Sequence, residues 1–282
     1  MAKGTRSTQR RRQGSRPGPG RIALLVLGAL AAIVGWTWVR AASIDVDVLA
    51  THDPGASALM RQRAAEAAKA GKPWHPSRHW VRYEHISPHL RRAVLIAEDD
   101  AFFSHDGLDW NEIKASARKD LATGRIARGG STITQQLAKN LWLSTSRSPL
   151  RKLEEMFLAH RLERALGKKR IFELYLNVIE WGDGVFGADA AAHRWFRTSA
   201  AGLDARQSVR LAAVIINPRR YSPVEPPRRI ERRVRMIATR MRRRGELTEA
   251  DWRNVLGLPP ADTTDVPPAD AQVPAETTAA PR

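Results

Sequence analysis

Apolar positions recur along most of this chain at intervals of three and four residues. Leu90, Val94 and Ala97 share one such face and predict a helix over 87–99, with Ser87 as N-cap and Pro88 at the first helical position. The same spacing, punctuated by short Gly or Pro breaks, predicts helices over 109–122, 131–141, 149–166, 168–178, 184–196, 204–216 and 226–243. A further helix near 57–70 precedes the turn residues Gly71-Lys72-Pro73. Few segments alternate at period two, so the expected fold is predominantly α.

One apolar run is continuous rather than periodic. Ile22 to Val39 carries no charge, and Trp36 and Trp38 sit at its far end, where indole rings favour a membrane interface. Ahead of it stand Lys3, Arg6, Arg10, Arg11, Arg12, Arg16 and Arg21 without a single acid. A cleaved signal peptide is the rival, but its apolar core usually runs only about 7–15 residues, and no small-x-small site precedes Arg40. The pattern divides the chain into a basic cytoplasmic segment (1–21), a transmembrane anchor (22–39), a membrane-proximal linker (40–80), a globular domain (81–257) and a disordered Pro/Ala-rich tail (258–282).

Charge narrows the partners. The 47 Lys and Arg against 29 Asp and Glu give a net +18, which favours nucleic acid, anionic lipid or a phosphate-bearing substrate. Nucleic acid is the poorest of these, because the basic N-terminus abuts an apolar anchor and no recognition motif follows. Cysteine is absent, which removes disulfides, thiolate metal sites and a Cys nucleophile. Arg219 to Arg244 holds eleven arginines, which suit either a solvated helix face or anionic headgroups.

Four stretches carry candidate chemistry. Glu98, Asp99 and Asp100 close the helix over 87–99 and run into Phe102 and Phe103; an acid in apolar surroundings has its pKa raised toward the range of a general base, although solvated acids at a helix end are equally compatible. Gly129 and Gly130 give a tight turn before Thr132 and Gln135, whose spacing is that of a capping box, so backbone N–H groups there can meet phosphate oxygens. Glu155 lies beside the apolar face Leu153, Phe157, Leu158, Leu162 and Leu166, and also at i,i+4 from Arg151, where a plain surface pair would suffice. The fourth stretch, Lys168 to Asn177, is amphipathic, with Glu173 placed to lock neighbouring helices by hydrogen bonds.

In order, spacing and identity these stretches read E-D-x-x-F-x-x-H-x-G (98–107), G-G-S-T-I-T-Q-Q-x-x-K-N (129–140), R-K-x-x-E (151–155) and K-x-x-I-x-E-x-Y-L-N (168–177). They resemble the signatures of the peptidoglycan glycosyltransferases over about residues 80–225, and the lack of a following domain is similar to the monofunctional biosynthetic branch of that family. The resemblance implies a lysozyme-like α fold and an inverting transfer that polymerises lipid II into β-1,4-linked glycan strands with release of undecaprenyl pyrophosphate. Carried over residue by residue, it makes Glu98 the catalytic base and Glu155 the second glutamate. Asp99, Phe102, His105, Gly130, Ser131, Thr132, Gln135, Gln136, Lys139, Asn140, Arg147, Arg151 and Lys152 become substrate-site residues, and Glu173, Tyr175 and Asn177 structural ones. Two positions depart from the usual pattern: Arg128, often Gln, and Gln207, commonly Glu.

The resemblance further implies a single-pass protein of the bacterial inner membrane with a cytoplasmic N-terminus and a periplasmic catalytic domain. Its partners would be lipid II, the lipid-linked strand, membrane lipid and other wall-synthesis or division proteins, with no nucleic acid. No cofactor is firmly implied; Mg or Mn accompanies the pyrophosphate in some relatives, but no carboxylate cage or other metal ligand set is evident here. A lysozyme-like lytic enzyme and an inactive scaffold of a wall-synthesis complex are the rival functions. Ser116-Ala117-Arg118-Lys119 has the S-x-x-K form of an acyltransferase but lacks a K-T-G partner.

Overall fold

The computed structural model describes residues 19–107, 130–146 and 148–260. The helix expected over 109–122, Arg128, Arg147, most of the basic segment and nearly all of the tail lie outside the described residues. The described chain is mainly helical. Helix α1 spans Pro19–Ala42, and α2, Ala58–Lys69, is N-capped by the Ser57 hydroxyl. α3 (Pro88–Glu98), α4 (Ile133–Trp142), α5 (Pro149–Ala165) and α6 (Lys168–Val178) carry the four motifs. α7 (Ala188–Phe196), α8 (Ala205–Val214), α9 (Arg228–Arg243) and α10 (Glu249–Leu256) complete the order.

α3 packs against α8 and α9, while α4 packs against α5 and α6, giving one continuous core through Leu90, Val94, Ile133, Leu137, Leu158, Phe172, Val209 and Val234. Each of these side chains is fully buried, and each such burial is worth roughly 1.5–3 kcal/mol. Phe102 anchors an aromatic cluster beneath the end of α3, its ring centroid 5.7 Å from that of Phe172.

Three local features depart from the sequence reading. The helix expected over 184–196 begins only at Ala188, because the Gly-punctuated segment before it forms strands β2 (Glu180–Gly182) and β3 (Val185–Phe186). These join β1 (Ser77–Arg78) in a small sheet of order β1-β3-β2, with β1 parallel and β2 antiparallel to β3. Ser87 does precede α3, yet its hydroxyl donates to Leu203 O at 2.7 Å instead of capping, so Pro88 alone favours the helix start. The stretch 40–80 is more than a linker: Ala41, Val46 and Leu49 enter the core, and α2 packs on α4.

Among the described residues, α1 meets the body at its C-terminal end. Leu24, Leu25, Leu27 and Trp36 are exposed, whereas Ala41 is buried and its carbonyl accepts from Arg161 at 2.5 Å. Gly20–Ala42 is long and apolar enough to cross a bilayer, whose hydrocarbon core is about 30 Å thick.

Candidate active site

The end of α3 delivers Glu98 into a cleft of about 570 Å³ lined by Gly130, Ser131, Gln136, Lys139, Ile216 and Arg233. Only 12% of the Glu98 side chain is exposed. Gln136 donates to Glu98 Oε2 at 3.0 Å, and Arg233 to Glu98 Oε1 at 2.7 Å. Burial nevertheless dominates and raises the Glu98 pKa above the ordinary glutamate value; Arg233, Gln136 and Lys139 oppose it. The result is a carboxylate with an affinity for protons, held by donors that aim both of its oxygens.

Gln136 is itself oriented. The hydroxyl of fully buried Tyr175 donates to Gln136 Oε1 at 3.2 Å, which leaves the amide nitrogen to face Glu98. Burial is also the main reason that the Tyr175 pKa lies well above the phenol value, so this hydroxyl remains a donor.

Asp99 performs a different task from its neighbour. Its Oδ2 accepts the Ile133 N–H at 2.9 Å, and its Oδ1 lies 3.0 Å from His105 Nε2. Ile133 opens α4, so Asp99 satisfies one of that helix's otherwise orphaned donors and complements its dipole. The Thr132–Gln135 capping box is formed, and the Thr132 hydroxyl donates to Gly107 O at 2.7 Å. Gly107 has φ 82°, and a Cβ there would lie 2.8 Å from Glu163 Cγ, which accounts for glycine at this position.

On the next helix, Glu155 is 3% exposed and bonds both Arg151 and Lys152. Lys152 reaches onward to Ser131 Oγ at 3.0 Å and Gln135 Oε1 at 3.2 Å, joining α5 to the start of α4. Lys139 stands at the cleft wall with its pKa lowered, first by burial and then by the neighbouring Arg151 and Lys152 charges, against the pull of Glu155. Three cations therefore surround a single buried carboxylate. Such an arrangement leaves net positive charge for a phosphate-bearing ligand.

The motif residues thus separate by position. Glu98, Gly130, Ser131, Gln136 and Lys139 line the cleft; Arg151, Lys152 and Glu155 adjoin it through Ser131. Phe102, Thr132, Gln135 and Asn140 are buried, while Asp99 and His105 brace the turn into α4. Glu173 and Asn177 lie away from the cleft: Glu173 accepts the Tyr83 N–H at 2.8 Å, and Asn177 brackets Val81 with bonds of 3.0 and 2.8 Å. Gln207 completes a capping box with Asp204 on α8, a role that Gln fills as well as Glu. Arg233 was not separable from its many neighbouring arginines in the sequence; only the packing of α9 on α3 singles it out.

The donor set does not favour a dedicated divalent-cation cage in this cleft. Among the described residues, Glu98 and Glu155 are each engaged by basic side chains.

A family model described as transglycosylase matches residues 66–242. A biosynthetic peptidoglycan transglycosylase of Methylobacillus flagellatus is 52% identical over 192 residues, spanning 68% of this chain and 83% of the relative. The corresponding protein of Chromobacterium violaceum is 47% identical over 190 residues, 67% of this chain and 83% of the relative. That of Laribacter hongkongensis is 44% identical over 209 residues, 74% and 86% respectively.

Proposed function

Because this chain belongs to the transglycosylase family and is a peptidoglycan glycosyltransferase of cell-wall synthesis, we propose that it polymerises lipid II with Glu98 as base. The 4-hydroxyl of the acceptor GlcNAc attacks the anomeric carbon of the lipid-linked strand. Glu98 takes the hydroxyl proton as the new C–O bond forms. The bond to pyrophosphate breaks with its electron pair, so the anomeric centre inverts from α to β and undecaprenyl pyrophosphate departs. Burial of Glu98 supports this role, since a base of raised pKa takes up a sugar proton more readily than an ordinary carboxylate.

The leaving group accounts for the cations. Negative charge collects on the departing pyrophosphate, and fixed donors in a partly dry cleft stabilise it without reorganising. Lys139 and Ser131 are the groups on the cleft wall for this, with Arg151 and Lys152 adjoining. Glu155 holds the last two in place. The observation that carries the reading is the presence of a buried acid and a lysine on one cleft, each with its pKa moved by burial.

The anchor serves the same chemistry. A lipid-linked substrate confines the reaction to the bilayer surface, and α1 would keep the cleft there. The basic segment ahead of α1 argues for a cytoplasmic N-terminus and a periplasmic catalytic domain in the inner membrane. Arg228, Arg229, Arg232 and Arg235 are exposed on α9 and supply charge for anionic headgroups.

Incubation of the purified protein with labelled lipid II in detergent tests the proposal. The wild type should release lipid pyrophosphate and build polymer, and Glu98→Gln should slow both by at least about 100-fold. Polymer formation by Glu98→Gln at the wild-type rate would exclude Glu98 as base. An alkaline phosphatase fused after residue 260 should be active in cells if that end is periplasmic; an inactive but intact fusion would reverse the orientation.

A further inference from the structure

We propose that His79, Asp189 and His193 form a transition-metal site of zinc type that staples the segment after β1 to α7. None of the three belongs to the cleft, and the reading stands independently of the glycosyl-transfer chemistry. Their ligand atoms all lie within 4.8 Å of one another.

The fold brings them together by three local devices. Pairing of β1 with β3 sets Arg78 opposite Phe186, so His79 leaves the sheet beside the start of α7. Gly187, at φ 86°, makes the turn between β3 and α7, and a Cβ there would approach Asn177 O to 3.1 Å and His79 O to 3.5 Å. Glycine therefore lets the His79 backbone lie close against the helix start. Asp189 and His193 then stand at i and i+4, on the same face of α7.

The geometry suits a metal better than an ordinary ion pair. Asp189 Oδ1 accepts the Ala200 N–H at 2.8 Å, which fixes the carboxylate and turns Oδ2 toward both rings. Oδ2 is 3.3 Å from His193 Nε2 and 3.7 Å from His79 Nδ1. Ligands about 2.0–2.1 Å from a tetrahedral zinc ion are separated by about 3.3 Å, so the Asp189–His193 contact already fits, while His79 must turn its ring to close both its 3.7 Å gap to Asp189 and its separation, within 4.8 Å, from His193. The imidazoles are 61% and 52% exposed, free to make that movement and to leave a fourth position for water. Two imidazoles and one carboxylate suit zinc, and by the usual affinity order copper and nickel as well.

The test uses the full chain in detergent, stripped by chelator and titrated with zinc chloride while binding and thermal midpoint are followed. The wild type should take up one equivalent and melt at a higher temperature. His79→Ala and His193→Ala should each bind zinc more than about 100-fold more weakly, beyond what loss of an outer hydrogen bond costs, and melt as the metal-free wild type does. Since Asp189 also holds the Ala200 N–H, the exposed histidines carry the test, with circular dichroism as the check that each variant is folded. A zinc response retained in either histidine variant, or no response in the wild type, would overturn the site.

Discussion

Arg233 donates to Glu98 at 2.7 Å across 135 positions of sequence, and the same guanidinium nitrogen donates to Ala97 O at 2.9 Å. A helix of the arginine-rich segment thus brings a cation to the end of α3, where the candidate base resides.

That pair should set the acid limb of activity if Glu98 is the base. Burial raises the Glu98 pKa and Arg233 is the first of the groups that lower it, so its removal lets the pKa climb further. A base works only when deprotonated, and a higher pKa delays deprotonation as pH rises. Arg233→Gln should move the acid limb of kcat/KM to higher pH and cost roughly 10-fold in rate at pH 7, with recovery at alkaline pH. Arg233→Lys should move it less. A pH profile with lipid II checks this, and an unmoved limb would show that the pair does not tune the base.

Tyr175 should act on the rate without touching substrate. Its hydroxyl fixes which end of the Gln136 amide faces Glu98, and Tyr175→Phe frees that amide to rotate. We expect kcat to fall about 10-fold, the scale of one misdirected hydrogen bond of about 1.4 kcal/mol, with KM nearly constant. A rise in KM alone would place the effect in binding rather than in orientation of the base.

Lys139 should govern the alkaline side. Its pKa lies below the ordinary lysine value of 10.5, so it loses its charge earlier as pH rises. Stabilisation of the departing pyrophosphate should weaken in that window, so kcat and kcat/KM for lipid II should fall together on the alkaline side. Lys139→Arg, whose charge persists to far higher pH, should abolish this fall. An alkaline profile identical in both proteins would remove Lys139 from that role.

Asp99 is expected to matter for folding first. Its side chain is 3% exposed and accepts from Ile133 N and His105. Asp99→Ala leaves a buried helix-terminal N–H unpaired and should cost about 3 kcal/mol, read by urea denaturation. Asp99→Asn keeps one acceptor oxygen and should cost less. Equal stability of Asp99→Ala and wild type would contradict the bracing role.

How much of this could be read from the sequence depended on whether the cause was local. The Thr132–Gln135 box and the amphipathic face of α6 are short-range patterns, and both are present in the fold. The strands around Gly182 and Gly184 are three and two residues long, too short to display alternation, so β3 read as the start of the helix over 184–196 and β2 as part of the break before it. α10, eight residues with one fully buried side chain, offered little periodicity to detect. Arg233 and His79 had no local signal, and the i,i+4 spacing of Asp189 and His193 is by itself too common on helices to mark a site. Each depends on which helix face or strand end meets another element far away in the chain.

The place where α1 joins the body predicts where the anchor can be cut. Arg161 donates to Ala41 O at 2.5 Å and Ile44 O at 2.6 Å, while Ala41 and Val46 are buried in the core. Removing residues 1–39 deletes the exposed apolar turns but spares those contacts. This truncation should melt within about 3 °C of the full chain and turn over lipid II in detergent at a similar kcat. On vesicles it should be slower at low substrate density, since it must find the bilayer from solution. Removing residues 1–46 takes away the core side chains and leaves the half-buried Arg161 without its carbonyl partners, so it should melt well below both. Equal melting of the two truncations would mean that the start of the linker contributes nothing to the domain, contrary to its packing.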